Sequence, residues 1–176
     1  MAKLNILKYG NPVLKKKAEP VTEFNEDLKQ LFNDMLEAMY AKNGVGLAAT
    51  QLGVLKRVIV VDTTRADENP QVFLLVNPEI IQASKEKCEY EEGCLSFPEI
   101  TETISRSRKV TVKAQDIFGK PIEIEGEGLL AIALQHEIDH INGILFIDRM
   151  SPVRKLLHAK ELNLLKKANT PKKKHK

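Results

Sequence analysis

The stretch GEGLLAIALQHEIDHING (126–143) decides the fold. Its apolar positions Leu129, Ile132, Ala133, Leu134, Ile138 and Ile141 circle most of a helix, so the spacing predicts a helix over 127–142 buried on several sides. Gly143 supplies a left-handed C-cap. Within that helix, His136-Glu137-Ile138-Asp139-His140 places two imidazoles at i and i+4, on one face and close enough to share a metal ion. Glu137 follows the first imidazole and can accept a proton from water on the metal. A buried polar group without partners costs about 2–7 kcal/mol, so imidazoles and a carboxylate on a buried helix call for such a use.

Outward toward the C-terminus, Ser151-Pro152 is an N-cap followed by Pro, which starts a helix over 152–169. Val153, Leu156, Leu157 and Leu164 are expected to form its inner face. Residues 170–176, TPKKKHK, are expected to be disordered. Outward toward the N-terminus, Val110, Val112 and Ala114 alternate with polar residues. DIFGKP (116–121) then turns the chain into Ile122 and Ile124, an antiparallel hairpin. RVIVVD (57–62) and VFLLV (72–76) read as buried strands, the second ending at Asn77-Pro78. Leu28, Leu31, Phe32, Met35, Leu36 and Met39 form one face of a helix over 26–42, with Asn25 as its N-cap and Asn43-Gly44 as its stop. Short strands and helices without βαβ alternation give an α+β fold. Antiparallel sheets pack around a central buried HExxH helix, with one helix on the N-terminal and one on the C-terminal side.

The 176 residues, 43% apolar and 29% charged, fit one domain over 1–169. The longest apolar run is six residues, Leu129 to Leu134, too short for a bilayer, and the N-terminus lacks a secretory pattern. Two cysteines make no disulfide framework, and a cytoplasmic location is expected. The net charge of +3 conceals an asymmetry. Residues 152–176 carry nine Lys/Arg against one acid, while residues 1–151 carry 18 Lys/Arg against 23 Asp/Glu. A basic arm on an acidic body suits an anionic partner. No long apolar stripe is expected to remain exposed, which predicts a monomer.

A metal site needs a third protein ligand, and two residues offer one. Glu161 lies 21 residues after His140, the spacing of thermolysin-like zinc peptidases, although a surface charge partner on a basic helix is its plainer role. Cys94, in Glu92-Gly93-Cys94-Leu95-Ser96, would give a Cys/His/His site with one open position. Cys88 reads as a spectator thiol. A further segment, GVGLAATQ (44–51), spells G-x-G-x-x-A but follows a helix rather than a strand, against a dinucleotide site. It reads as a flexible backbone segment open to close approach by a ligand, with the Gln51 amide at its far end.

GVGLAATQ (44–51), EGCLS (92–96) and QHEIDH (135–140), in this order, together resemble the three signatures of the peptide deformylases. Gly10-Asn11-Pro12-Val13-Leu14 is similar to the family's opening segment, and the likeness spans about residues 4–165. It implies hydrolytic removal of the formyl group from the N-terminal formyl-methionine of nascent polypeptides, with release of formate. It implies Cys94, His136 and His140 as metal ligands, in preference to Glu161. Glu137 matches the general acid/base, with hydroxide on the metal attacking the formyl carbon. Gln51 and the Leu95 N–H match the oxyanion donors, and Gly46 a backbone contact to the formyl group. Gly44, Val45, Tyr90, Glu92, Leu129, Ile132 and Ala133 match positions around the pocket for the methionine side chain. Tyr90 stands where an aliphatic residue is common, and Thr101 where some members have a peptide-binding arginine. The family typically uses Fe²⁺, which Zn²⁺, Ni²⁺ or Co²⁺ can replace; in bacterial members the C-terminal helix docks on the ribosome near the exit tunnel, and the basic arm here is expected to suit ribosomal RNA. Asp139 is expected to be structural, paired with Arg106. Two rival functions are a zinc endopeptidase with Glu161 as ligand, and an RNA-associated domain with a closed structural metal site.

Overall fold

The computed structural model describes residues 5–63 and 72–172. Residues 173–176, most of the tail expected to be disordered, lie outside them. Strand β2 (Val58–Asp62) shows how the core is organised. Its run Val-Ile-Val-Val is apolar on both faces because both faces are covered. Ile59 and Val61 pack with Leu75, Val112, Leu134, Ile138 and Ile141. Val58 and Val60 pack with Leu28, Phe32, Met35 and Met39. In the first group Leu134, Ile138 and Ile141 belong to helix α2 (Gly128–Ile141), while Leu75 and Val112 come from neighbouring strands; the second group belongs to helix α1 (Glu26–Tyr40). The sheet between them is antiparallel throughout and runs β1 (Gly46–Ala48), β2, β3 (Val72–Ala83), β6 (Lys109–Gln115), β7 (Pro121–Glu127). The fold is α+β, as expected.

A second, two-stranded sheet pairs β4 (Lys87–Cys94) with β5 (Phe97–Ser107). Leu95-Ser96 is the two-residue turn between them. Phe97, Ile100 and Ile104 cover a separate apolar cluster with Leu14, Phe146, Ile147 and Leu162. Cys94 thus ends a strand tip, held over the α2 face that carries the histidines.

Several local expectations hold at atomic detail. Asn25 Oδ1 accepts the Leu28 N–H at 3.2 Å and caps α1. Asp116 Oδ1 accepts the N–H groups of Phe118 and Lys120 at 2.9 Å each, closing the β6–β7 turn. Gly143 sits at φ +75° just past α2, and a Cβ there would lie 2.5 Å from the Lys15 carbonyl oxygen. Gly143→Ala is expected to cost about 2 kcal/mol or more, from the left-handed backbone and the contact together. Thermal or urea unfolding checks this.

Other expectations need correction. The 72–76 strand does not end at Asn77-Pro78. It continues to Ala83 through a bulge at Asn77, whose φ is +52°. The Asn77 side chain ties the bulge to the segment before α1, accepting from the Val21 N–H at 2.8 Å and donating to the Val21 carbonyl at 2.9 Å. Segment 44–51 is not a flexible segment throughout. Its second half is the edge strand β1 followed by a 3-10 turn, Ala49–Leu52, and Leu47 to Gln51 are buried.

The helix expected over 152–169 is broken at His158 into α3 (Pro152–Leu157) and α4 (Ala159–Asn169). Val153, Leu156, Leu157 and Leu164 do not face inward; they are 61–74% exposed. The cause is Glu102, a buried carboxylate on β5. It draws Arg154 Nη1 to 3.5 Å and His158 Nε2 to 3.1 Å. Arg154 and His158 lie at i and i+4, so this pairing turns their helix face toward the sheet and the leucines away from it. Leu162 is instead the buried anchor of α4. The premise for a monomer, that no exposed apolar stripe remains, therefore fails. No helix among the described residues is long and apolar enough to cross a membrane.

Candidate active site and metal centre

Helix α2 is buried along its whole inner length because it is wedged between the five-stranded sheet and the β4–β5 hairpin. Burial makes the partners of His136, Glu137, Asp139 and His140 decisive. His136 Nδ1 meets Glu92 Oε2 at 2.8 Å, so the carboxylate holds the ring's Nδ1–H and leaves Nε2 free to act as a ligand. His140 Nε2 lies 3.2 Å from Cys94 Sγ. The ligand atoms of Cys94, His136 and His140 all lie within 4.8 Å of one another. One thiolate and two imidazoles form a borderline-soft donor set that suits a divalent transition metal, so the residues present fit the expected ion. Glu161 is absent from the cluster; it bonds His158 Nδ1 at 3.1 Å instead. Cys88 is also absent from it.

Behind His136 stands an ion-pair network. Arg106 donates to both Glu92 oxygens, at 2.7 and 3.0 Å, and to Asp139 Oδ2 at 2.6 Å. Arg149 closes the other side of Asp139, at 2.6 Å to Oδ1 and 3.0 Å to Oδ2. The expected Arg106–Asp139 pair is present. Sequence reasoning placed Glu92 at the substrate pocket and missed that Arg106 ties it to Asp139 and orients His136 through it. Burial pushes the Glu92 carboxyl up, but the hydrogen bonds from His136 and Arg106 outweigh that and hold it at about 2.

Glu137 points into the cavity. Its Oε2 is buried without a hydrogen-bond partner. Burial pushes its carboxyl up to about 7, against the pull of His136. Gly46 makes room for it: a Cβ added there would come within 2.9 Å of Glu137 Cδ. Gly46→Ala is expected to displace the carboxylate and cut kcat by about 100-fold, while the melting temperature falls far less than in Gly143→Ala. Steady-state kinetics and calorimetry on the two variants check this.

The Gln51 amide has a fixed orientation. Its Oε1 accepts the Ala48 N–H at 2.9 Å, and a backbone N–H can only donate. The NH₂ group therefore faces the cluster, 3.1 Å from Ser96 Oγ and 3.7 Å from Cys94 Sγ. Leu95 follows Cys94 in the hairpin turn. A cavity of about 680 Å³ opens in front of these groups. Gly44, Val45, Gly46, Gln51, Tyr90, Glu92, Cys94, Leu95, Leu129, Ile132, Ala133, His136 and Glu137 all line it, and Thr101 stands at its wall. His140 lies beneath it, 1% exposed. Lys8 and Lys42 also line it, and no sequence signal pointed to either.

Comparison with known proteins agrees with this geometry. The sequence profile of the family described as polypeptide deformylase matches residues 3–156. A peptide deformylase of Thermodesulfovibrio yellowstonii is 52% identical over 166 residues, covering 94% of this chain and 100% of that protein. The crystal structure of a peptide deformylase from Legionella pneumophila superposes with a TM-score of 0.84 at 47% identity, covering 96% of this chain and 98% of that one. A plant peptide deformylase superposes with a TM-score of 0.91 at 35% identity, covering 96% and 91%. A match over most of the chain, in sequence and in backbone, means that the chain belongs to the polypeptide deformylase family.

Proposed function

We propose that Cys94, His136 and His140 hold one divalent metal ion, and that the groups around them remove the formyl group from peptides beginning with N-formyl-methionine. As a family member the chain is a hydrolase of such peptides; the residue roles are our reading. The observation that carries it is the buried convergence of the Cys/His/His donors with Glu137 and the oriented Gln51 amide on one cavity. When bound, the ion supplies Lewis acidity, acidifying water and polarising the formyl C=O.

Glu137 then takes the proton of the attacking water and delivers it to the amine nitrogen as the C–N bond breaks, leaving formate and a free N-terminus. The Leu95 N–H and Gln51 Nε2–H meet the charge that develops on the formyl oxygen. Val45, Leu129, Ile132 and Ala133 offer an apolar wall to the unbranched methionine side chain, with Tyr90 and Thr101 further along the peptide's path. Iron is the ion we assign, in keeping with the family resemblance. An iron thiolate centre is open to Cys94 oxidation in air. The nascent chain is the substrate, the site of action is the cytoplasm, and the basic α3–α4 arm contacts ribosomal RNA. Loss of salt-dependent ribosome binding on removal of residues 152–176 checks that last contact.

The test is a product analysis on protein purified without oxygen. Formyl-Met-Ala-Ser should yield formate and intact Met-Ala-Ser. Cleavage of its internal peptide bonds without formate would favour an endopeptidase and overturn the proposal.

A further inference from the structure

Three consecutive residues, Leu7, Lys8 and Tyr9, bind the two segments that carry the proposed oxyanion donors. The Leu7 N–H donates to the Gln51 carbonyl at 2.7 Å, and the Tyr9 N–H donates to the Ser96 carbonyl at 2.9 Å. Between them, Lys8 Nζ donates to the Leu95 carbonyl. The two segments are remote in sequence, and the hydrogen bonds between them run from the Gln51 amide alone, to Ser96 Oγ at 3.1 Å and to Cys94 Sγ at 3.7 Å among the described residues. Residues 7–9 therefore form a strap across both. The Tyr9 ring stacks on Phe97, with centroids 4.9 Å apart, and fixes the end of the strap to the base of the hairpin.

Leu95-Ser96 is a bare two-residue turn, and the strap takes both of its carbonyls. Of the three bonds, only the one from Lys8 comes from a side chain. Its ammonium reaches a neutral carbonyl from the cavity wall. A charge-assisted bond of this kind is roughly twice as strong as a neutral one, and ordering a lysine stem costs rotamer entropy that a purely solvated side chain avoids.

We infer that Lys8 is a positioning residue of the deformylation reaction: bonded to the Leu95 carbonyl, it fixes the Leu95-Ser96 turn so that the Leu95 N–H is aimed at the reacting oxygen. This rests on the proposed function. Lys8 acts through the turn and leaves substrate binding largely alone. Outright loss of an oxyanion donor costs about 10²–10³ in kcat. Misaiming one is expected to cost about tenfold.

The experiment compares Lys8→Met, which keeps the stem and removes the charge, with Lys8→Arg, which keeps the charge. Formate release from formyl-Met-Ala-Ser is measured alongside the ¹⁵N–¹H resonance of the Leu95 amide in the zinc-loaded protein, whose d¹⁰ ion leaves neighbouring amides observable. Lys8→Met should lose about tenfold in kcat with KM within twofold, and should shift the Leu95 amide. Lys8→Arg should recover kcat to within threefold and restore the resonance. An unchanged kcat or an unmoved Leu95 amide in Lys8→Met would overturn the inference, as would failure of Lys8→Arg to recover. If the wild-type protein released no formate, the proposed function would fall. The amide resonance would then still decide whether Lys8 holds the turn.

Discussion

Glu137→Gln is expected to keep the fold and the metal and to lose about 10³-fold in kcat, within the usual range for a general acid/base. The substitution is nearly isosteric. The amide fits the space that Gly46 leaves beside Glu137, and the bonds of Gln135, His136 and Asp139 on the same helix do not involve Glu137. What it lacks is a site that can accept a proton and give it back. Glu137 Oε2 has no hydrogen-bond partner within the protein, so the carboxylate is not there to hold the structure together. Metal content measured beside kcat separates the two roles. A variant that keeps its metal and full turnover would remove Glu137 from the mechanism.

Arg106→Leu is the largest expected loss of stability. The Arg106 side chain is 3% exposed, and its ion pairs reach Glu92, also 3% exposed, and Asp139. Asp139 keeps Arg149, but Glu92 is left with His136 alone. Removing one partner of a buried pair costs about 3–5 kcal/mol, because the remaining charge is stranded. For a chain of this size that lowers the melting temperature by about 6–20 °C. Glu92 also fixes the Nδ1 of His136, so metal affinity should fall by about 10–100-fold. Arg149→Ala is the contrast: Arg149 is 45% exposed, and Arg106 still holds Asp139. A Lys or Arg lost from the surface costs little. Equal effects of the two substitutions would contradict this network.

The sequence made α2 and its ligands legible because a buried helix is apolar all round, and the histidine pair breaks that pattern at one helical spacing. The β4–β5 hairpin was not legible as strands. Along β5 the inward positions are Ile100, Glu102, Ile104 and Arg106. Their alternation is complete in burial but not in hydrophobicity, since Glu102 and Arg106 bury charges paired with distant residues. The same Glu102 reversed the reading of α3, where the face with most leucines is the exposed one. Asn77 hid the length of β3, because Asn-Pro reads as a turn, whereas here Asn77 takes a positive φ inside a bulge that its side-chain bonds to Val21 hold in place. Cys94 could be singled out as a ligand only through the family likeness of EGCLS, since spacing alone also allowed Glu161. Lys8 carries no local signal; its role exists only where residues 8 and 95 meet.

The most direct test of the account compares the wild-type protein with Cys94→Ala, both purified without oxygen, for bound metal and for formate released from formyl-Met-Ala-Ser. The wild type should hold close to one equivalent of metal and release formate rapidly, and a Cys94→Ala protein that remains folded should do neither. A Cys94→Ala protein that keeps its metal and its activity, or a metal-loaded wild type that releases no formate, would contradict it.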